Sequence, residues 1–380
     1  TDPAPLGDPD RDRIGIVAWE GSATLLAWRV RRFGIPEVED ALDMAERQLL
    51  RGNHATAADL VADVLPTAVG ARLERARRLE EQIRADAAVA DRHRRTADLI
   101  REAVPGARTS IRQGGLHATL PRTLATLDPV AGLPLSGIEC EATGAIRDLA
   151  PLRGMPLRKL ALPDHQVEDL TPLAGMPLTD VMLSGNPVAG LTALAGMRLN
   201  SLALPRCRRI ADVAGLAECE MRLLDLGQTA VTDLGPLAGK ALMELWLIGC
   251  VLHDLGPLAG APLQRLGLAG TPVTDLGPLA GAPLRVLHLE HSRVADLRPL
   301  AGAPLRYLNL AHTPVTALGP LAGSPLQEVV LTGCAIADVS PLAACPMRRL
   351  IYGPRIPDGL DRLPGDCVLT YRSLEQQRGA

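Results

Sequence analysis

A column of aspartates recurs through the second half of the chain, each just before a Leu-x-Pro-Leu segment or a variant of it. Its members are Asp148, Asp169, Asp212, Asp233, Asp254, Asp275, Asp296 and Asp338. Stacked carboxylates could bind calcium, which prefers oxygen ligands. An aspartate before a tight helical turn with proline close behind is also typical of a cap on orphaned backbone amides. Because Gly190 and Ala317 interrupt the column, the sequence favours caps and predicts no metal site.

The seven cysteines are the next candidates for chemistry. No Cys-x-x-Cys occurs, so neither a zinc knuckle nor a redox dithiol is indicated, and the odd number fits reduced thiols. Cys207, Cys250 and Cys334 share one recurring position with Asn, Thr and Ser. Cys140 lies at a leucine position, Cys219 and Cys345 fall in corners, and Cys367 falls in the terminal cap. The pattern predicts structural roles.

The segment Gly235-Pro-Leu-Ala-Gly239-Lys240-Ala241 superficially matches a phosphate-binding loop. It has too few residues between the glycines, and alanine stands where Ser or Thr must hold Mg²⁺. The same glycine-bounded segment recurs without lysine at 256–260 and 277–281, so it is a repeated corner. With Phe33 the only phenylalanine, a kinase Asp-Phe-Gly motif is impossible. The sequence therefore predicts no enzyme, no catalytic residues and no cofactor.

Composition limits the partners. The 380 residues carry 40 basic and 43 acidic side chains, a net charge of −3, and no basic tract interleaved with aromatics, so no nucleic-acid partner is predicted. The longest uncharged stretch, Tyr307 to Gln327, is long enough to span a bilayer but contains several prolines within a continuing pattern. No membrane insertion is predicted. Localisation stays open, with the cytoplasm favoured.

The elements that position these residues are repeats. An aliphatic column advances by 21 residues at every step but one, from Ile146 to Ile336, and gives ten turns over 135–346. Each turn reads L-x-x-L-x-L-x-x-T-x-V-x-D-L-x-P-L-A-G-x-P, as in 263–283. The alternation predicts a short strand, followed by one tight helical turn before glycine reverses the chain. Stacked turns would bury a continuous aliphatic core, which explains why only 2% of the residues are aromatic.

Over 135–346 this pattern resembles leucine-rich repeats of the short bacterial type. The form in 169–178 resembles arrays fused to bacterial serine/threonine protein kinases and, less closely, internalin arrays. The resemblance implies an α/β solenoid, with a parallel sheet on the concave face and 3₁₀ turns on the convex face, that binds proteins. The family's buried asparagine position is occupied by His165, Asn186, Cys207, Thr229, Cys250, Thr271, Ser292, Thr313 and Cys334.

Two other roles stay open. The chain could be the regulatory or substrate-recruiting region of a larger enzyme, such as a serine/threonine protein kinase whose catalytic domain precedes Thr1. A surface adhesin like the internalins would need a secretion signal and a wall anchor, and the C-terminal residues resemble no anchor.

The predicted organisation is a disordered linker over 1–12, a helical region over 13–104, an N-terminal solenoid cap over 105–134, ten repeats over 135–346, and a C-terminal cap and tail over 347–380. Helical spacing covers Glu37–Leu50, His54–Leu65 and Thr67–Val104, a hairpin followed by a long connector helix. These helices could self-associate or serve as a solvated connector. The apolar segments 14–18 and 25–28 could pair with an upstream domain.

Binding is predicted on the side chains that alternate with the buried leucines of the strands. Trp and Tyr are enriched in interface hot spots, and two of the few aromatics fall here. The predicted partner-binding residues are Glu244, Trp246, Ile248, Arg265, His288, Glu290, Tyr307, Asn309 and Glu328. Alternatively, a neighbouring residue or a terminal segment simply covers Trp246. A secondary candidate is Arg206, Arg208 and Arg209, in the turn with an extra residue, either as a site for an acidic partner or as a solvated bulge.

Overall fold

The computed structural model describes residues 40–51, 53–141, 144–353 and 357–372. The predictions for 1–12, 14–18 and 25–28, and for the tail beyond Arg372, lie outside the described residues. The chain divides into two compact units, Thr1–Thr96 and Ala97–Ala380. Each unit is described by itself.

The described part of the first unit is helical. Helices α1 (Ala41–Leu50) and α2 (His54–Val64) are followed by α3 (Gly70–Ala103), whose residues from Ala97 onward belong to the second unit. Helix α1 begins at Asp40, whose carboxylate accepts the Leu42 N–H at 2.9 Å. A small aliphatic core joins the three helices, and Arg75 pairs with Asp43 and Glu46. From residue 40 onward the predicted helices are confirmed. The part of the helical region over 13–39 lies outside the described residues, and self-association stays a prediction.

The second unit contains a sheet of 14 strands whose order in space is their order in the chain. Strands β1 and β2 form an antiparallel hairpin, and every later neighbour pair is parallel. The strands are β1 Arg108–Arg112, β2 Gly115–Leu120, β3 Gly137–Cys140, β4 Lys159–Ala161, β5 Asp180–Met182, β6 Ser201–Ala203, β7 Leu223–Asp225, β8 Glu244–Trp246, β9 Arg265–Gly267, β10 Val286–His288, β11 Tyr307–Asn309, β12 Glu328–Val330, β13 Arg349–Tyr352 and β14 Val368–Tyr371.

From β2 onward a 3₁₀ turn follows each strand except β14. The turn at Gly277–Leu279 is typical: the Asp275 carboxylate accepts the Gly277 N–H at 2.7 Å, and Gly281 then takes φ +78° to reverse the chain. The same carboxylate-to-amide bond recurs throughout the predicted aspartate column, at Asp148, Asp169, Asp212, Asp233, Asp254, Asp296 and Asp338. The predicted bond from each carboxylate to an amide of the turn is therefore present, but the predicted N-cap position is wrong by one residue: the N-cap is the following Leu or Val, as Leu276 is. Each aspartate instead closes a local turn that starts the 3₁₀ segment.

One aliphatic core runs through the whole second unit, from Ile100 to Leu363. The leucines that alternate along the strands are buried, and none of the described aromatic side chains is. Because each turn alone cannot cover its leucines, stacking is what removes them from water. The parallel sheet, the 3₁₀ turns and this core confirm the predicted solenoid.

The recurring position after the strands carries buried polar side chains. Asn186 accepts the Val167 N–H and donates to the Leu162 carbonyl, and Thr229 and Cys250 both donate to the Leu226 carbonyl. Burial raises the pKa of the Cys207 thiol to about 11, which keeps it protonated and unreactive at neutral pH. The predicted structural role is confirmed there.

Two positions in this column depart from the expectation that each side chain donates a hydrogen bond. His165 instead accepts the Ile146 N–H at 3.3 Å, and its buried Nε2 has no partner among the described residues. The Ser292 hydroxyl is likewise buried without a partner in the described part of the chain. Imidazole is too large to reproduce the asparagine contacts, whereas nothing in the structure explains why the Ser292 hydroxyl differs from the threonine hydroxyls of the column.

Candidate binding site on the sheet face

The site lies on the sheet face, defined here as the side chains that alternate with the buried leucines along β2 to β13. The parallel register fixes their order across the strands. Trp246 pairs with Gly267, which pairs with His288, which pairs with Asn309. One column over, Glu244 and Arg265 are neighbours, as are Tyr307 and Glu328. The fold thus brings the predicted binding residues onto adjacent strands, β8 to β12, and the bends that follow them.

The Trp246 indole occupies the space beside Gly267 on the neighbouring strand because glycine has no side chain there. A Cβ on Gly267 would stand 2.4 Å from Trp246 Cε3, so any larger residue would collide with the indole. The Arg265 guanidinium lies 5.8 Å from the ring centroid, a distance at which a cation is attracted to the ring face. Trp246 is therefore partly supported by the next strand, but it stays half-buried.

Three rings follow one another across the face. The centroids of Trp246 and His288 are 5.5 Å apart, and those of His288 and Tyr307 are 4.9 Å apart. All three side chains are half-buried, and we call them the ring strip. Burial, with Glu290 and Glu328 close by, raises the pKa of Tyr307, so its hydroxyl stays neutral and can donate a hydrogen bond.

Acidic side chains border the ring strip. Glu290 Oε1 lies 3.6 Å from His288 Nδ1, while its Oε2 is buried and has no hydrogen-bond partner in the described residues. Asp225 pairs in register with Trp246, and burial raises its pKa. Sequence reasoning did not single out Asp225, although it stands 21 residues before Trp246 in the same column.

The other predicted residues surround the strip. Glu244 lies 3.8 Å from Arg265 Nη1, and Glu328 lies 3.4 Å from Nη1 of Arg349 on the next strand. Asn309 is turned towards its own bend, where its side-chain oxygen accepts the Ala311 N–H at 3.0 Å. The Ile248 side chain is exposed in the bend two residues after β8. Whether these residues bind a partner stays a prediction.

The first half of the sheet face, β2 to β6, holds a cleft of about 510 Å³ that the sequence did not predict. Arg112 Nη1 and Lys159 Nζ each lie 2.7 Å from Glu139 Oε1, and these bonds lower the pKa of Glu139. Asp180 accepts hydrogen bonds from the side chains of Thr179, Ser201 and Asn200. The polar groups of this half bond mainly to one another. The small residues Gly115, Ser136, Ser201 and Ala203 line this cleft and were the sequence signal for it.

The secondary arginine candidate is largely tied to acids of earlier turns. Arg206 lies 2.9 Å from Asp164, and Arg209 contacts Glu168. Arg208 is exposed and makes no ion pair with the described residues. The three arginines therefore do not form a common patch of free charge, and nothing in the geometry favours the acidic-partner reading over the solvated bulge.

Within the described ranges, no group of three or more His, Cys, Asp or Glu side chains is placed to hold a metal ion. No helix among those residues combines the length and apolarity needed to cross a membrane.

The repeating strands, the 3₁₀ turns and the aliphatic core define a leucine-rich-repeat solenoid. No protein-family model matches the chain, and no curated protein does. Seventeen chains among the solved structures are similar to it. One is the functional domain of InlJ from Listeria monocytogenes, described as including a cysteine ladder. It is 16% identical, with a TM-score of 0.34, and the match covers 61% of this chain and 66% of that one. At that level of similarity nothing about function follows.

Proposed function

We propose that the chain is a non-catalytic scaffold that binds a partner protein on its sheet face, centred on the ring strip. The observation that carries the proposal is the continuous row of half-buried rings, Trp246, His288 and Tyr307, on a scaffold whose core needs no aromatics. Covering such rings with a partner lowers the free energy of the complex. The rings lose little conformational entropy on binding because they already rest on neighbouring residues.

The chemistry at the strip supports binding rather than catalysis. The polar partner nearest to His288 is the Glu290 carboxylate, and the neighbouring column offers Tyr307, whose raised pKa opposes ionisation. A general base needs a nucleophile or an acidic proton within hydrogen-bond reach. Burial raises the pKa of several cysteine thiols above its ordinary value, so these thiols are poor nucleophiles. They are Cys140, Cys207, Cys219, Cys250, Cys334 and Cys367. A role as the recruiting region of a larger enzyme would use the same surface and stays a prediction.

The test replaces Trp246 and Tyr307 together by alanine and measures partner capture from a lysate alongside the melting temperature. We expect capture to be lost with little change in melting, because both side chains are half-buried on the surface. A control variant replaces Lys159 and Met182 by alanine. These residues lie on the neighbouring strands β4 and β5, in the first half of the same face, and we expect this variant to capture the partner as the wild type does. Unchanged capture by the ring variant, with unchanged melting, would sink the proposal.

A further inference from the structure

The residues that stand immediately before the strands carry charge of a single sign. From β3 to β13 this position holds five arginines among neutral residues, and no acid. We call the arginines the arginine edge: they are Arg158, Arg222, Arg285, Arg306 and Arg348. The neutral members are Ser136, Thr179, Asn200, Met243, Gln264 and Gln327. In a chain with slightly more acids than bases, this row is strongly asymmetric.

The charges of the arginine edge are not used within the described solenoid. All five side chains are exposed, and within residues 40–51, 53–141, 144–353 and 357–372 none of them makes an ion pair or a side-chain hydrogen bond. Other arginines in the same repeats differ: Arg265 faces Glu244, Arg349 faces Glu328, and Arg298 binds Asp296.

The aspartate column belongs to a different part of each turn and cannot neutralise this row. Each of those carboxylates accepts the first amide of a 3₁₀ turn, as Asp275 does from Gly277 and Asp296 from Arg298. The acids are therefore placed at the start of the 3₁₀ turns, and the free arginines at the start of the strands.

The arginine edge runs beside the ring strip. Arg306 directly precedes Tyr307, and Arg285 occupies the same place on the neighbouring strand. Neighbouring strands are about 4.8 Å apart, so two arginines and one ring fall within the reach of a short peptide segment. An extended chain crossing the strands would meet the rings on one side and the guanidinium groups on the other.

The charge pattern favours a protein partner over a nucleic acid. A nucleic-acid backbone presents a phosphate at every step and would meet Glu244, Glu290 and Glu328 on the face beside the arginines. A peptide can place carboxylates at the edge alone and uncharged side chains over the rings. Arginine also matches the planar carboxylate group with two parallel donors.

We propose that the arginine edge binds the carboxylate side chains of an acidic segment of the partner, whose apolar residues cover the ring strip. This inference rests on the proposed function and names the chemistry of its partner. It places the recognition charge outside the residues that the sequence singled out.

The experiment uses the full chain and two labelled probes, poly-L-glutamate and a glutamate–tyrosine copolymer, at low ionic strength. The edge variant carries Arg285→Gln, Arg306→Gln and Arg348→Gln; glutamine is native to this column at Gln264 and Gln327, so the fold accommodates it. The control variant carries Arg147→Gln, Arg153→Gln and Arg293→Gln, which makes the same change in net charge at exposed positions elsewhere.

We expect the edge variant to bind both probes about tenfold more weakly, because three exposed charge pairs are lost. The control variant should change the affinity by less than about twofold. Added salt should weaken wild-type binding and abolish the difference between the variants. Equal losses in both variants would mean that bulk charge attracts the probes, and would overturn the inference. Tighter binding of polyuridylate than of poly-L-glutamate, lost in the edge variant, would also overturn it in favour of a nucleic acid.

The Trp246→Ala/Tyr307→Ala variant separates the two proposals. This variant should bind the copolymer more weakly than the wild type does, and its affinity for poly-L-glutamate should be unchanged. If it weakens the copolymer while the edge variant binds as wild type does, the proposed function stands and this inference falls. If only the edge variant loses affinity for both probes, the arginine edge binds carboxylates but the ring strip is not the binding surface, so the proposed function falls together with the part of this inference that covers the rings.

Discussion

In the first half of the sheet face, carboxylates bond to neighbouring side chains, whereas in the second half tilted rings lie side by side and one carboxylate stays partly unsatisfied among the described residues. Glu139 is held by Arg112 and Lys159 on one side of the molecule. On the other, Glu290 leaves a carboxylate oxygen without a partner among the described residues, beside the ring strip. Both halves share the parallel register and the same leucine core, and from β4 to β12 every strand has three residues.

The backbone of a repeat therefore does not by itself decide where binding occurs. A partner docking on the first half would have to desolvate charges that already have good hydrogen bonds, and gains little in return. A partner docking on the second half covers half-buried rings and can supply missing contacts. The ring strip, rather than the backbone, distinguishes the second half, because each half leaves one buried polar atom of its face without a partner among the described residues: His117 Nδ1 in the first half and Glu290 Oε2 in the second.

The largest expected effect tests whether the two halves share one core. Leu160 and Leu245 are fully buried at equivalent positions of β4 and β8. Replacing either with alanine should lower the free energy of unfolding by about 2–5 kcal/mol, through lost burial and a residual cavity. Denaturant unfolding of both variants should give equal losses within about 1 kcal/mol. A clearly smaller loss of stability for one variant would show that the two halves also differ in the packing of the leucine core beneath the sheet face.

A smaller effect comes from filling the glycine positions that support a ring. A Cβ at Gly267 would meet Trp246 at 2.4 Å, and one at Gly137 would meet His117 Nδ1 at 2.1 Å. Both alanine variants should lose about 1–3 kcal/mol of stability, because a ring must move. Only Gly267→Ala should also weaken partner binding, by about tenfold, since it displaces a ring of the strip. Titration with the captured partner measures this, and equal weakening by Gly137→Ala would break the comparison.

The smallest effect concerns the buried polar column of the first half. His165 is only 1% exposed, and burial lowers its pKa. Protonation is disfavoured in the folded state, so the stability contribution is present above pH 6.5, the ordinary pKa, and is lost as pH falls through the lowered value. Asn186, one turn on, instead contacts four backbone groups through its side-chain amide: the Val167 N–H and the carbonyls of Leu162, Leu183 and Ser184.

We therefore expect His165→Asn to raise the free energy of unfolding by about 1 kcal/mol at neutral pH and to reduce the loss of stability below pH 6.5. Denaturant midpoints measured across that pH range provide the check. A lower midpoint at neutral pH would mean that the imidazole is better packed against Gly144 than an amide is.

Much of the architecture was predictable because a 21-residue period fixes the register. The position of Trp246 beside His288 follows from that period, as does the bond from Asp275 to Gly277. The rest depends on side chains one or two turns away. Gly267 determines how Trp246 lies, and Arg349 determines where Glu328 points, yet neither is a neighbour in sequence. The cleft beside Lys159 is likewise lined by small residues from several turns, among them Gly115, Ser136 and Ala203.

The most direct test of the central claim is photo-crosslinking of the bound partner from one position in each half. Ile248 is 37% exposed and Met182 is 44% exposed, so a photoreactive phenylalanine analogue at either site is equally open to solvent. If the partner binds at the ring strip, the probe at 248 crosslinks to it and the probe at 182 does not. Equal crosslinking from 182, or none from 248, would contradict the claim.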